Sequence, residues 1–400
     1  MVNVNNELGS ELKPMPSMAA SAVLPLLLSI LVCPYATAAP ATGGGASCGY
    51  THLFSFGDSI SDAGNFVTFF PGAPATALPY GETFFRRPTG RFCDGRLIVD
   101  FIAEALGLSF SPPFLGVDRT AAAAEFRQGA NFAVGAATAL GKDFFTEMGL
   151  SPALVRFIPP YSLDVQMEGF KQVLHLLGPT EQERKGIMSS SLFVVGEVGE
   201  NDYSYLMLQN RSIDAVIKPL VVPKVVAKIE NAVKVLLELG TKTIVVPGDF
   251  PMGCLPRHLT MFQSTDPDSY DADGCSRRLN DLIQHHNAAV RTMLERIPRD
   301  DPAVAVVYAD YYGAGLEIIH NPLKHGFAED GVLKACCGDG GPYNSNSFVS
   351  CNATSNLCPD PTKYVQWDGD LLTEAAYGFV ARGVLHGPYA DPSILSTCRC

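Results

Sequence analysis

Apolar and polar positions along this chain fall into two kinds of segment that take turns. Short runs, apolar almost throughout, occur at "HLFSFG" (52–57), "SLFVVGEVG" (191–199), "TKTIVVPG" (241–248) and "AVAVVYAD" (303–310), and each predicts a buried strand. Between them, apolar residues recur every third or fourth position. Residues 96–107 put Ile98, Phe101, Ile102, Ala105 and Leu106 on one helical face and stop at Gly107. Residues 221–239 do the same with Val222, Val226, Ile229, Val233 and Leu236, ahead of Gly240. A third helix is predicted over 279–297 and a last one from about Thr373, with Thr373 or Asp370 as its cap. Apolar strands each followed by a helix belong to a parallel sheet covered on both faces. The expected fold class is α/β: one three-layer α/β/α domain over residues 48–400 with a central parallel sheet. The Gly-, Asn- and Cys-rich stretch 321–366 is expected to be a long irregular excursion.

Composition narrows the function. The formal charge is −12, and Lys and Arg do not cluster, so a nucleic-acid partner, which needs a basic face, is not expected. Met18–Val32, "MAASAVLPLLLSILV", has the length of a signal-peptide core and precedes Ala36-Thr37-Ala38, a small-x-small cleavage pattern. Residues 1–38 are therefore expected to be a signal peptide with a polar extension, and the mature chain to be secreted with no stable membrane span. Removing Cys33 with the signal leaves ten of eleven cysteines. Their spacing lacks paired C-x₂-C units with interleaved histidines, which favours disulfides of open connectivity over zinc. No metal and no cofactor is expected. Asn210 and Asn352 begin Asn-x-Ser/Thr acceptor sites for glycosylation.

Reactive groups in an open parallel sheet gather at the carboxyl ends of its strands. The first strand runs into Gly57-Asp58-Ser59, where a serine at the amino end of a following helix would meet backbone N–H groups. A cap by Asp58 or Ser59 explains the same residues. The second conspicuous strand end, "VVGEVGENDY" (194–203), offers the Asn201 amide to an oxyanion, with Asp202 capping the next segment; ordinary turn chemistry explains this too. No Gly-x-Ser-x-Gly elbow occurs, which argues against an α/β-hydrolase arrangement.

"FGDSISDAGN", "PYGETFFRRPTGRFCDGRLIVDFIAEALGL" (79–108), "GANFAVGAATAL" (129–140), "LFVVGEVGENDY" (192–203), "CCGDGGPYN" (336–344) and "WDGDLLTEAAY" (367–377) together resemble the plant GDSL esterase/lipases, a branch of the SGNH hydrolases. The likeness is colinear over nearly the whole mature chain. It implies a flavodoxin-like α/β/α fold and ester hydrolysis with Ser59 as nucleophile. It also implies an oxyanion hole from the Ser59 N–H, a backbone N–H near Gly135 and the Asn201 side chain, with Asp368 as the acid. Two positions depart from that pattern nearby, Ala136 and Glu200, where glycines are usual.

The largest departure is the base. The resemblance puts a histidine at position 371, and this chain has Leu371. An isobutyl group can neither take the serine's proton nor return it, and loss of such a histidine costs roughly 10⁶ in kcat in subtilisin. Asp370 is a poor substitute, since an unperturbed aspartate has a pKa of about 3.9. His386 lies about four helical turns further on, His285 and His286 sit inside a helix, His52 starts a strand, and His175, His258, His320 and His325 have no carboxylate at a useful spacing, so all read as structural. Trp367 is expected to pack beside the loop. Three functions stay open: a secreted esterase on small-molecule or polysaccharide esters, an acyltransferase on the same scaffold, and a pseudo-hydrolase that binds an acylated ligand. Oligomeric state is open as well.

Overall fold

The computed structural model describes residues 48–118, 120–297, 301–346 and 349–398. The expected signal segment, with Cys33, and the last cysteine, Cys400, lie outside the described residues. The strands are β1 His52–Phe56, β2 Gly129–Asn131, β3 Ser191–Val195, β4 Thr243–Pro247, β5 Ala305–Ala309, β6 Cys337–Gly338, β7 Asn356–Leu357 and β8 Ala390–Asp391. One sheet runs β2-β1-β3-β4-β5-β8, and β6 pairs with β7 separately. The five strands from β2 to β5 are parallel, as expected. The short β8 is antiparallel to β5, so the sheet is mixed at one edge. The first five strands have the 2-1-3-4-5 order of doubly wound folds.

The helices that matter below are α1 Ile98–Ala105, α2 Leu163–Leu177, α3 Glu200–Leu208, α4 Val222–Glu238, α5 Pro256–Met261, α6 Arg277–Arg296, α7 Tyr311–His320 and α8 Glu374–His386. Alternate side chains of a strand point to opposite faces, and β3 divides accordingly. Phe193 and Val195 enter a core shared with α2, α4 and α6. Leu192 and Val194 enter the other core, shared with α1, α7 and α8. The result is the three-layer arrangement expected from strands apolar on both faces. In the first core Phe54, Phe170 and Phe193 pack as a ring cluster with centroids 5.1 to 5.4 Å apart.

The four predicted strands and the helices at 98–105, 222–238, 277–296 and 374–386 form within a few residues of their expected limits. Thr373 caps α8, its Oγ accepting the Ala376 N–H at 3.3 Å, whereas Asp370 is engaged elsewhere. The pattern gives no notice of α3. It opens on Glu200, Asn201 and Asp202 and serves both the core and a cavity, so it has no single apolar stripe.

Four disulfides join described cysteines. Cys337–Cys351 is nested inside Cys336–Cys358 within the 321–366 excursion, Cys254–Cys275 closes a loop before α6, and Cys48–Cys398 ties together the two ends of the described residues. Cys93 stands apart as a buried free thiol, with burial pushing its ionisation well up. Among the described residues no helix is long and apolar enough to cross a membrane. Asn210 is exposed; Asn352 is half-buried and donates to the Ser350 carbonyl at 3.1 Å.

The ring cluster predicts its own cost. Phe193→Ala, on the central strand, should lower unfolding stability by about 3–5 kcal/mol, read as a fall in the urea midpoint with an unchanged slope.

Candidate active site

The turns after β1 and β3 press together. At Gly57 φ is +140°, and a Cβ there would lie 2.6 Å from the Glu197 carbonyl oxygen, so only glycine fits. Asp58–Ser61 then form a turn, and the next helix is a five-residue one starting at Asn65. Ser59 therefore does not sit at a helix amino end, and neither Asp58 nor Ser59 is that helix's cap. Buried Asp58 accepts the Ile60 N–H at 3.2 Å and, on its other oxygen, the Asn201 amide at 2.9 Å. Asn201 also donates to the Ala137 carbonyl at 3.1 Å. Asp202 does not cap α3: it reaches across to accept the N–H groups of Ala139 and Leu140 at 2.8 and 3.0 Å.

Asp62 organises the rest. Its carboxylate accepts four backbone N–H groups, from Gly64, Asn65, Phe66 and Gly135, at 2.6 to 2.9 Å. The Gly135 N–H is thereby spent on Asp62, which removes it as a donor to a ligand and corrects its expected place in an oxyanion hole. Its neighbour Ala136 stands at φ +60°, the left-handed region where glycine is the usual residue. Among the described residues the backbone N–H groups of Ala136 and Ser59 have no hydrogen-bond acceptor.

The loop before α8 supplies Asp368. Tyr80 donates to Asp368 Oδ2 at 2.7 Å, and the N–H groups of Asp370 and Leu371 reach Oδ1 at 3.2 and 3.1 Å. Asp370 pairs with Arg257 of α5, Nε to Oδ2 at 2.6 Å, and the Arg257 N–H bonds to the Gly369 carbonyl at 3.0 Å. Leu371 is buried in the core with α1 and α8. Trp367 is wholly buried, edge-on to Tyr80, and Tyr80 is the one of the two that lines the cavity.

These pieces converge. A cavity of about 430 Å³ is lined by Ser59, Gly135, Ala136, Asn201, Asp368 and Leu371, all the positions singled out from the sequence for the reaction. It is also lined by Glu200, noted as a departure from the pattern, and by Glu197, Ser204 and His258, which the sequence does not mark for the reaction. Buried Glu197 and Asp249 are electrostatic neighbours, with His286 Nε2 at 3.7 Å from Asp249. His258, with Glu200 Oε1 at 3.7 Å, and His286 thus have acidic neighbours after all, as do His320, paired with Asp273, and His325, 2.8 Å from Glu317. Only Glu317 is near its histidine along the chain; the other partners lie too far away for local spacing to reveal them. Among the described residues no cluster of His, Cys, Asp or Glu is arranged to hold a metal ion.

Burial dominates the electrostatics. It pushes Asp58 up to about 8, Asp202 to about 7, and Asp62 and Asp368 to about 6. Glu197 and Glu200 are also driven well up, by burial and by neighbouring carboxylates. Burial lowers His258 to about 4, so its imidazole is neutral at ordinary pH.

Comparison with known proteins fits this geometry. Residues 53–384 match the family model of the GDSL-like lipase/acylhydrolases. The chain belongs to that family. A GDSL esterase/lipase of Arabidopsis thaliana is 41% identical over 354 residues, covering 87% of each chain. The sinapine esterase of Brassica napus is 40% identical over 385 residues, covering 95% of this chain and 96% of its own. The chain is a carboxylic ester hydrolase of this plant GDSL group, with the α/β fold of SGNH hydrolases.

Two outcomes follow from the site's geometry. Four carboxyls with raised native values bind more protons folded than unfolded once the pH exceeds about 4. Their contribution is full below that point and is lost as the pH rises through 6 to 8. The thermal midpoint should therefore fall between pH 5 and pH 8. Separately, Ala136→Gly should relieve the left-handed strain and raise unfolding stability by up to about 1 kcal/mol, measured by chemical denaturation.

Proposed function

We propose that this ester hydrolase is a secreted serine esterase that cleaves small carboxylic esters through an acyl-enzyme on Ser59. The observation that carries the reading is the single cavity shared by Ser59, Ala136, Asn201 and Asp368, with two backbone N–H groups unspent at its wall. Ser59 Oγ attacks the ester carbonyl. The N–H groups of Ser59 and Ala136 receive the negative charge that develops on the carbonyl oxygen, while the Asn201 amide, both hydrogens spent on Asp58 and the Ala137 carbonyl, holds the turn that bears Ser59. The acyl group leaves Ser59 on attack by water.

Secretion is supported by four disulfides, by the apolar 18–32 stretch ahead of Ala36-Thr37-Ala38, and by the exposed acceptor Asn210. A relative called a sinapine esterase, together with cavity walls that include Phe66, Phe70, Phe92 and Phe262, supports a small ester with an apolar or aromatic acyl group. Leu371 favours a second reading, a cavity that binds such an ester without turning it over.

The test uses purified secreted protein, p-nitrophenyl butyrate and a fluorophosphonate probe. The esterase reading expects steady hydrolysis, probe attached at Ser59, and loss of both in Ser59→Ala. An unlabelled serine, with hydrolysis no faster than in Ser59→Ala, would leave the binding reading standing.

A further inference from the structure

Acyl-enzyme chemistry needs a proton acceptor, and Leu371 takes away the one that the family pattern supplies. We infer that His258, on α5, is the general base of this site. The inference rests on the serine-esterase reading above and adds the residue which that reading lacks.

Of the chain's eight histidines, His258 is the one that lines the cavity with Ser59. It also stands beside the loop that lacks the histidine. The residue before it, Arg257, is fastened to that loop twice, through the Asp370 carboxylate at 2.6 Å and the Gly369 carbonyl at 3.0 Å. A base moved from residue 371 to α5 is thus a move between two segments already joined.

The reactive edge of the ring faces the cavity that Ser59 also lines. His258 Nε2 lies 3.2 Å from Ser204 Oγ and 3.7 Å from Glu200 Oε1, both on the cavity face of α3. In the tautomer with its proton on Nδ1, Nε2 carries the one lone pair of the ring, which accepts from Ser204 at rest and takes a proton once that hydroxyl turns away. Nδ1 is buried and has no acceptor among the described residues. Phe262 stacks on the ring at 6.0 Å and restricts its tilt. The charged and titratable groups facing it are Glu200 from α3, Arg257 from its own helix and Asp370 from the loop. Arg257 neutralises Asp370, and burial together with neighbouring carboxylates raises Glu200 and disfavours its charged form beside the ring. A buried imidazole of low basicity remains a usable acceptor, though a weaker one than a histidine paired with a carboxylate.

The protons balance without any further reactant. As Ser59 Oγ bonds to the acyl carbon, its proton ends on His258 Nε2. When the tetrahedral species collapses, the bond from the acyl carbon to the leaving oxygen breaks and that oxygen takes the proton. Water then attacks the acyl-enzyme, giving up a proton to Nε2, and Ser59 recovers it as the acid departs.

The experiment is a double-mutant cycle on p-nitrophenyl butyrate hydrolysis. It compares the parent, His258→Gln, Leu371→His and the double variant, with Ser59→Ala as a reference and thermal melts for folding. In the parent, His258→Gln should lower kcat by about 100-fold or more. In the Leu371→His background the same change should cost less than about threefold, because the imidazole introduced beside Asp368 now takes the proton. The parent's rate should fall off on the acid side near pH 4, where His258 protonates. His258→Asn repeats the cycle if the glutamine variant melts early. Full activity in His258→Gln would overturn the inference, and so would an equal fractional loss in both backgrounds, which marks a purely structural role. A parent no faster than Ser59→Ala, beside an active Leu371→His, would also overturn it while sparing Ser59. A Ser59→Ala variant as active as the parent would instead defeat the esterase reading itself.

Discussion

Four N–H groups converging on one carboxylate hold this site together. Asp62 binds Gly64, Asn65 and Phe66 from its own turn and Gly135 from the segment after β2. Asn65 and Asn131 extend the knot. Asn65 donates to the carbonyls of Asn131 and Ala133, and Asn131 donates to Ser55 Oγ and the Ser61 carbonyl. Apart from half-buried Phe66, all of these residues are buried. A buried polar group left unpaired costs on the order of 1–3 kcal/mol. The turn bearing Ser59 and the segment bearing Ala136 therefore cannot move independently. Above that network, Ser59 and Ala136 meet at the cavity wall with both of their N–H groups still unspent.

The carboxyl-rich floor of the cavity is costly in the same terms. Asp58, Glu197 and Glu200 lie close enough to repel one another if all were ionised, and burial already disfavours their charged forms. The protein meets this by keeping protons on them and by giving Asp58 and Asp202 donors from distant segments. Asn201 serves Asp58, and the Ala139 and Leu140 amides serve Asp202. α3 is thereby fixed at its first turn by both neighbours, and its cavity face, carrying Asn201 and Ser204, is set in register with Ser59. A helix that looks poorly amphipathic is positioned instead by buried hydrogen bonds.

How far each feature can be foreseen in the sequence depends on range. Strand and helix periods are local, so β1, β3, β4, β5 and the long helices α4 and α6 are legible, while the three-residue β2 and the two-residue β8 carry too few positions to show a period. Ser59, Asn201 and Asp368 are legible because each sits in a short run that resembles a known motif. The exchange of roles between Gly135 and Ala136 is not, since it depends on which amide Asp62 takes from 73 residues away. His258 is invisible for the same reason. Its partners Glu200 and Ser204 come from another helix, and nothing within a turn of His258 reveals them.

Leu371 changes what the loop can do without changing how it is held. Its N–H still bonds Asp368, its carbonyl still accepts the Trp367 N–H at 2.6 Å, and its side chain fills the core beneath α8. Asp368 keeps its donor from Tyr80. A leucine satisfies every structural demand of the position and fails only the chemical one. The absence of an imidazole there therefore leaves Ser59, the unspent N–H groups and the cavity in place. The burden falls on proton transfer alone, which a neutral imidazole within hydrogen-bond reach of the serine can take up. Arg257 ties α5 to that loop, so His258 is held next to the gap by the contacts that keep the loop in place.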